Sequence, residues 1–408
     1  MSERPQGPAS IAEFRIAAQR ALPKMIFDFF DGGGGMELTL SENRAALDRI
    51  RLVGSAPVDV GNRSAAITLF GKPMAMPVII GPTGLAGAAW PWGDLALARA
   101  AGRAGIPFVM SSAATATMAA VGAAGEGRKW FQLYLFRDRK VSLRLLERAE
   151  ALGFEAIEIT VDNAVPGRRL RDARNGFSLP FRWTPKKLLS LASHPGWALR
   201  MARAGAPRLE VMAAEFDLRS AGTIAEVMEQ QLDPTVSWDD IAFIRDRWKG
   251  PLILKGLLDP AQGARAAELG LDGIVVSNHG GRQLDGAVAS IDILPEFVAA
   301  VGGRLAILVD SGFRSGTDVV KALALGATAV QIGRATLYAL ASGGEEAVFR
   351  ALGIIAGELD VAQAMMGSPT IADIGPARLR LPPPLVQAER VVVPREPALS
   401  RPQAFVAA

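Results

Sequence analysis

From about residue 76 onward, short apolar runs alternate with stretches whose apolar residues recur at helical spacing. The runs are 77–81 (PVIIG), 107–111 (PFVMS), 130–135 (WFQLYL), 156–161 (AIEITV), 252–255 (LILK), 274–277 (IVVS), 306–310 (AILVD) and 329–333 (AVQIG). They lack the regular polar alternation of a strand with one wet face, so both faces are expected to be buried. The helical stretches carry their own boundaries. Thr317 is placed to cap a helix over 318–325 that Gly326 stops, and the alanine-rich stretch 261–269 ends at Gly270. Eight buried strands alternating with helices predict an α/β fold, a (β/α)8 barrel of the TIM-barrel class.

The barrel is expected over 76–370. Residues 1–75 read as a helical lead-in, with helices over 14–21 and 26–30 ended by the run DGGGG at 31–35. A long insertion, 170–237, separates the fourth and fifth strands. The proline-rich tail, 371–408, is expected to wrap the surface.

The chain has 408 residues, 50% of them hydrophobic and 21% charged, enough for one large core with additions. It has no cysteine, which excludes disulfides, thiolate metal sites and cysteine nucleophiles and fits a reducing, cytoplasmic setting. The N-terminus lacks a signal-peptide pattern. The longest charge-free stretch, 73–93, is broken by Pro77, Pro82 and Pro91, so it reads as strand and loop, not as a membrane span.

In a barrel of this kind the reactive groups gather at the C-terminal ends of the strands. There the sequence places Pro82, Thr83 and Gly84 after the first strand and Ser111 at the end of the second. Gln132 and Tyr134 lie on the third, Thr160 and Asp162 on the fourth, Lys255 on the fifth, and Ser277 and His279 on the sixth. His279 is one of only two histidines and lies among glycines, with Arg282 three residues on. A core histidine in a tight turn is the plain alternative, but an imidazole here can take a proton near neutral pH, and a guanidinium can grip a carboxylate with two parallel hydrogen bonds. The seventh and eighth strands end in Asp310, Gly312 and Arg314 and in Gly333 and Arg334. Glycines that let backbone N–H groups approach, with arginines beside them, point to a phosphate site at the position where barrels place one. No strand-linked GxGxxG is present, so a Rossmann dinucleotide site is not expected.

The string SNHGGRQLD at 277–285, with LVDSGFRSGTDVVKALALGA and IGR downstream and WFQLY, ITVD and LKG upstream, resembles the FMN-dependent 2-hydroxy-acid dehydrogenase/oxidase family. That family includes glycolate oxidase, flavin-type L-lactate dehydrogenase and mandelate dehydrogenase. The resemblance implies that FMN is the cofactor and that His279 takes a proton from an L-2-hydroxy acid while two electrons pass to the flavin. It implies Asp162 as the partner of the imidazolium, Arg169 and Arg282 as the carboxylate grip, and Tyr134 as a further donor to substrate. Lys255 would face the flavin N1–C2 edge. Ser111, Gln132, Thr160 and Ser277 match polar flavin contacts, and Pro82, Thr83 and Gly84 the loop on the flavin face. Asp310 belongs to the same cofactor set, and Gly312, Arg314, Gly333 and Arg334 to its phosphate end. A homo-oligomer, a tetramer, is also implied.

Phe29 departs from the family's usual pattern, and Ala113 from that of its short-chain oxidases. Phe29 stands where the family has a tyrosine that reaches the substrate carboxylate, so one hydroxyl donor is lost. Ala113 stands where short-chain oxidases carry a bulky aromatic, which leaves room for a large, mandelate-like side chain unless Phe29 itself fills the gap. The glycines at 32–35 predict a mobile lid.

Segment 177–212 interleaves Arg182, Lys186, Lys187, Arg200, Arg203 and Arg208 with Trp183, Leu188, Leu189, Leu191, Trp197, Leu199 and Met201. Basic residues with tryptophan and leucine fit a helix on an anionic membrane surface; the plain alternative is a solvated helix packed on the barrel. The insert is similar to the membrane-docking segment of mandelate dehydrogenase, implying a peripheral enzyme on the inner face of the cell membrane that passes electrons to quinone. A soluble oxidase that reduces O2 to peroxide, and a flavoprotein of altered substrate, are the alternatives. No nucleic-acid partner and no metal are expected.

Overall fold

Eight parallel strands close on themselves in the computed structural model, which describes residues 7–176, 184–216 and 230–381. The strands are β1 (Val78–Ile80), β2 (Phe108–Ser111), β3 (Lys129–Leu133), β4 (Ala156–Thr160), β5 (Leu252–Leu257), β6 (Gly273–Val276), β7 (Ala306–Val309) and β8 (Ala329–Ile332). Each falls within two residues of its predicted run. Pairing of Val330 to Ile332 with Val78 to Ile80 completes the ring.

Because side chains alternate along a strand, the barrel interior is built in storeys. Ile79, Val109, Trp130, Ala156, Ile253, Val275, Leu308 and Ala329 form an apolar floor. Two residues farther along the same strands come Ser111, Gln132, Glu158, Lys255, Ser277 and Gln331, all buried and all polar. The opposite faces of the strands pack against the surrounding helices.

The lead-in forms three helices, α1 (Ile11–Ala21), α2 (Lys24–Asp31) and α3 (Leu38–Arg49). Ser10 caps α1, its Oγ accepting from the Glu13 N–H. At the end of α2, Asp31 joins three parts of the chain. It accepts from Arg15 at 2.6 and 2.8 Å, from Arg171 at 2.9 Å and from the Tyr338 hydroxyl at 2.7 Å. The loop that follows is clamped rather than the mobile lid its glycines predict. Gly34 N–H donates to Gly281 O and Gly35 N–H to Arg168 O, both at 2.8 Å. A Cβ on Gly33 would lie 2.8 Å from Gly281 O, so glycine is required here by close backbone approach.

Two further expectations are revised. The helix after β7 spans Gly316–Ala324 and is capped by Ser315, whose Oγ accepts from Asp318 N–H; Thr317 lies inside its first turn. Within the insertion, helices span Leu170–Asn175, Pro185–Ala192, Pro195–Ala204 and Glu210–Ala213. Trp197 and Met201 do not belong to an outward apolar face: both are buried, and Trp197 Nε1 donates to Ala88 O at 2.8 Å. The Arg200 guanidinium lies 4.4 Å from the Trp90 ring centre. Arg182, Trp183 and the side chains of Lys186, Lys187 and Leu188 lie outside the described residues. Of the tail, Leu379–Arg380 pairs antiparallel with Arg51–Leu52, and residues 382–408 lie outside the described residues.

Burial works against charge on Asp31, but its two arginines and the tyrosine hydroxyl outweigh it and hold the carboxyl down at about 2. A folded-state value below the unfolded one means that this contribution is present above about pH 4 and is lost as pH falls towards 2. Asp31→Asn is therefore expected to cost roughly 2 kcal/mol at neutral pH. In urea unfolding the gap between parent and variant should close between about pH 4 and pH 2.

Candidate active site

The C-terminal rim of the barrel opens into a cavity with about 1390 Å³ of atom-free space, its open side included. Its walls contain every one of the predicted site residues except Asp162 and Ser277, which lie behind His279 and Lys255.

His279 is placed by a strained turn. Its φ is +57°, and Gly280 and Gly281 follow at +66° and +70°. The left-handed His279 costs energy that the surroundings must supply, whereas the two glycines adopt that backbone without penalty. Asn43 on α3 and Asn278 exchange amide hydrogen bonds of 2.9 and 2.7 Å, and Asp285 accepts the N–H groups of Met36 and Thr39. So held, the His279 Nδ1 lies 2.9 Å from Asp162 Oδ1. An Nδ1–H donated to that carboxylate leaves Nε2 as the ring's free acceptor.

Arg282 lies beside the imidazole, one Nη donating to Phe29 O and Gly32 O at 2.8 and 2.9 Å. Burial first, then repulsion from Arg169 and Arg334, lowers its proton affinity well below the ordinary guanidinium value. Arg169 leans on Asp172 at 3.4 Å. The Phe29 ring faces both guanidiniums, 5.4 Å from Arg169 and 5.2 Å from Arg282, within reach of a cation–π contact with each. Tyr134 is buried, and burial together with the nearby Asp162 charge keeps its phenol protonated.

On the other side, Lys255 forms an ion pair with Asp310 and reaches Ser277 Oγ at 3.3 Å. Burial opposes the ammonium, but Asp310 and Glu158 raise its proton affinity above the ordinary lysine value. Arg334 donates to Phe30 O, Gly280 O and Gly32 O, bracing the histidine turn against the lead-in while lining the cavity. Arg314 donates to Phe313 O, and Gly333 caps the helix that starts at Arg334 and is broken at Gly343 and Gly344, so that its N-terminus meets the cavity.

These residues fit a flavin mononucleotide. Thr83 Oγ1, Gln132 Nε2 and Thr160 Oγ1 are buried against the cavity without hydrogen-bond partners. Unpaired buried polar atoms are costly; a heterocycle edge of alternating carbonyl and N–H groups pairs them. Gly312, Gly333 and the helix N-terminus suit a phosphate.

Residues 18–381 match the family described as FMN-dependent dehydrogenase. The chain belongs to that family. It is 40% identical over 371 residues to (S)-mandelate dehydrogenase of Pseudomonas putida, covering 91% of this chain and 93% of that one. It is 42% identical over 379 residues to L-lactate dehydrogenase of Caulobacter sp. (strain K31), covering 90% and 97%. Among solved structures, the monotopic membrane protein (S)-mandelate dehydrogenase superposes with a TM-score of 0.88 at 39% identity, covering 92% of this chain and all of that one. Mandelate oxidase with (S)-4-hydroxymandelic acid gives 0.80 at 38% identity, covering 91% and 98%. The protein is an FMN flavoenzyme, an oxidoreductase acting on CH–OH groups.

Sequence reasoning missed Glu158 and Gln331. An acid inside AIEIT and an amide inside AVQIG were visible as polar breaks in strands expected to be apolar. It also missed the lead-in contacts from Asn43, which only the packed fold reveals.

If the orphan hydroxyl of Thr160 is completed by the cofactor, Thr160→Val is expected to weaken FMN binding by about 1 kcal/mol, roughly fivefold in Kd. Unfolding of the FMN-free protein should not be destabilised, because that hydroxyl bonds nothing there. Fluorescence titration with FMN reads the first effect; an unchanged Kd contradicts the assignment.

Proposed function

We propose that this family member oxidises a bulky, mandelate-like L-2-hydroxy acid to the 2-oxo acid and passes the electrons to a quinone at a membrane surface. The observation that carries the reading is a histidine oriented by a carboxylate beside two arginines in one cavity. Bound FMN supplies the two-electron acceptor.

The cofactor would be held by Pro82, Thr83, Gly84, Ser111, Gln132, Thr160 and Ser277 around the ring. Asp310 keeps Lys255 charged beside it, and Gly312, Arg314, Gly333 and Arg334 take the phosphate. Arg169 and Arg282 bind the substrate carboxylate, which also relieves the repulsion between two neighbouring cations. Tyr134 donates to the substrate. His279 Nε2 accepts the substrate proton, and Asp162, 2.9 Å from Nδ1, stabilises the imidazolium that forms. Ala113, Phe29 and Leu232 give the substrate side an apolar wall, which favours a large side chain.

Membrane contact is supported by Leu189 and Leu199, 73% and 53% exposed on adjoining helices, with Arg203 and Arg208 exposed beside them. No helix among the described residues is long and apolar enough to cross a membrane, so such contact is peripheral. The name monotopic, given to the mandelate dehydrogenase neighbour, accords with it.

Anaerobic mixing of the FMN-loaded protein with L-2-hydroxy acids tests the chemistry. Mandelate is expected to bleach the flavin rapidly and glycolate slowly. Bleaching by glycolate alone would refute the large pocket, and bleaching by none would refute the reaction. Peroxide formed in air at the rate of substrate oxidation would replace quinone by O2. Phe29→Tyr restores a donor to a charged group and is expected to raise kcat/KM about tenfold or more. Equal constants for every acid would remove Phe29 from the substrate site. Sedimentation with anionic vesicles should pellet the protein; recovery in the supernatant would exclude the membrane surface.

A further inference from the structure

Glu158 is a buried titratable group with no part in the chemistry above. It lies on β4 two residues before Thr160, on the same inward face, in the storey whose Gln132, Lys255 and Gln331 line the cofactor cavity, and is itself covered from that cavity. It is fully buried. Its Oε2 accepts from Gln331 Nε2 on β8, across the barrel, and its Oε1 has no partner. The charged groups facing it are Lys255 on β5, Asp310 after β7 and Asp162 after β4. The Lys255 ammonium is already paired with Asp310, and Asp162 with His279. At this level two carboxylates therefore share one ammonium. With both ionised, the trio Glu158, Asp310 and Lys255 carries a net negative charge out of contact with water.

That arrangement favours the neutral acid. Burial, only partly offset by Lys255 and Gln331, pushes the Glu158 carboxyl up to about 7. The partner suits either form. An amide can donate N–H to a carboxylate or, turned over, accept O–H from a carboxylic acid. Gln331 Oε1, unpaired as the structure stands, is the atom that turning the amide over brings to the Glu158 carboxyl.

We propose that Glu158 and Gln331 form a redox-linked proton store: Glu158 binds a proton when FMN is reduced and releases it on reoxidation. The proposal rests on the FMN site described above. Reduction brings two electrons and negative charge into the cavity that Lys255 and Gln331 line beside it. A carboxylate at Glu158 would repel that charge, whereas the acid does not, so the two forms of the cofactor differ in the proton affinity they impose on Glu158. Electrons come from substrate or an electrode; the flavin keeps its own proton, and the additional proton comes from solvent. On reoxidation the electrons leave to the acceptor and the proton returns to solvent. Uptake is largest where Glu158 is ionised in the oxidised protein and protonated in the reduced one, which is the range above about pH 7.

The test is a spectroelectrochemical titration of the FMN-loaded protein and of Glu158→Gln, whose side chain mimics the neutral acid. The pH dependence of the two-electron midpoint potential counts protons taken up with the electrons. Above about pH 7 the parent is expected to take up more than the variant, by an amount approaching one proton per FMN. Equal slopes at full FMN occupancy overturn the proposal. A parent that binds no FMN would instead overturn the cofactor site, a different and visible failure. Should Glu158→Gln not fold, the reduced-minus-oxidised infrared spectrum of the parent decides. A carboxylic-acid carbonyl band gained on reduction is expected, and its absence overturns the proposal.

Discussion

Closure of the barrel through β8 and β1 is the constraint on which the rest depends. Once eight parallel strands form a ring, their C-terminal ends share one rim, and residues distant in sequence face a common space. The same alternation that fills the floor with Ile79, Trp130 and Leu308 then sets a polar storey above it. Polar side chains there are buried, so each needs a partner. Lys255 has Asp310, His279 has Asp162, and Gln331 has Glu158. The partners still missing, at Thr83, Gln132 and Thr160, outline the group that completes the set.

The barrel alone does not make the site. The turn that presents His279 adopts a backbone that would relax if released, and α3 together with the glycine loop holds it from above. Arg334 and Arg282 act in the same sense, turning most of their described hydrogen bonds to carbonyls of that loop and turn. Residues assigned to ligand recognition thus also serve as braces. Their substitution would disturb both shape and charge.

The strands, their order and the rim residues were legible because each rests on a local signal: an apolar run, a polar residue at its end, a glycine in a turn. His279, Arg282 and Lys255 could be named from such signals and from the family's motif. What escaped depends on packing between distant segments. The glycines at 32–35 suggest freedom in isolation and are instead closely packed against the Gly281–Arg282 backbone. Trp197 reads as part of an outward apolar stripe until Ala88 O is found to occupy its N–H. Ser315 and Thr317 are both good caps, and only the backbone decides between them. Glu158 announced itself by chemistry in the wrong place, an acid in a buried strand, but its meaning required knowing what lay across the barrel.

The lead-in also fixes when the site can exist. Asn43 meets a partner 235 residues downstream, Arg44 one 268 downstream and Gly32 one 302 downstream. A ribosome delivers the lead-in first and its partners almost last, so the early helices must wait, with the apolar faces of α1 and α2 unburied, while most of the barrel is made. Contacts so far apart in sequence form late and slowly. A shortened chain ending before β8 would contain the histidine, the aspartate and the lysine, yet lack the closure and the braces that make them a site. The rim is therefore a product of the finished chain, and nascent or truncated molecules are kept from holding the cofactor in a half-built, water-exposed cradle.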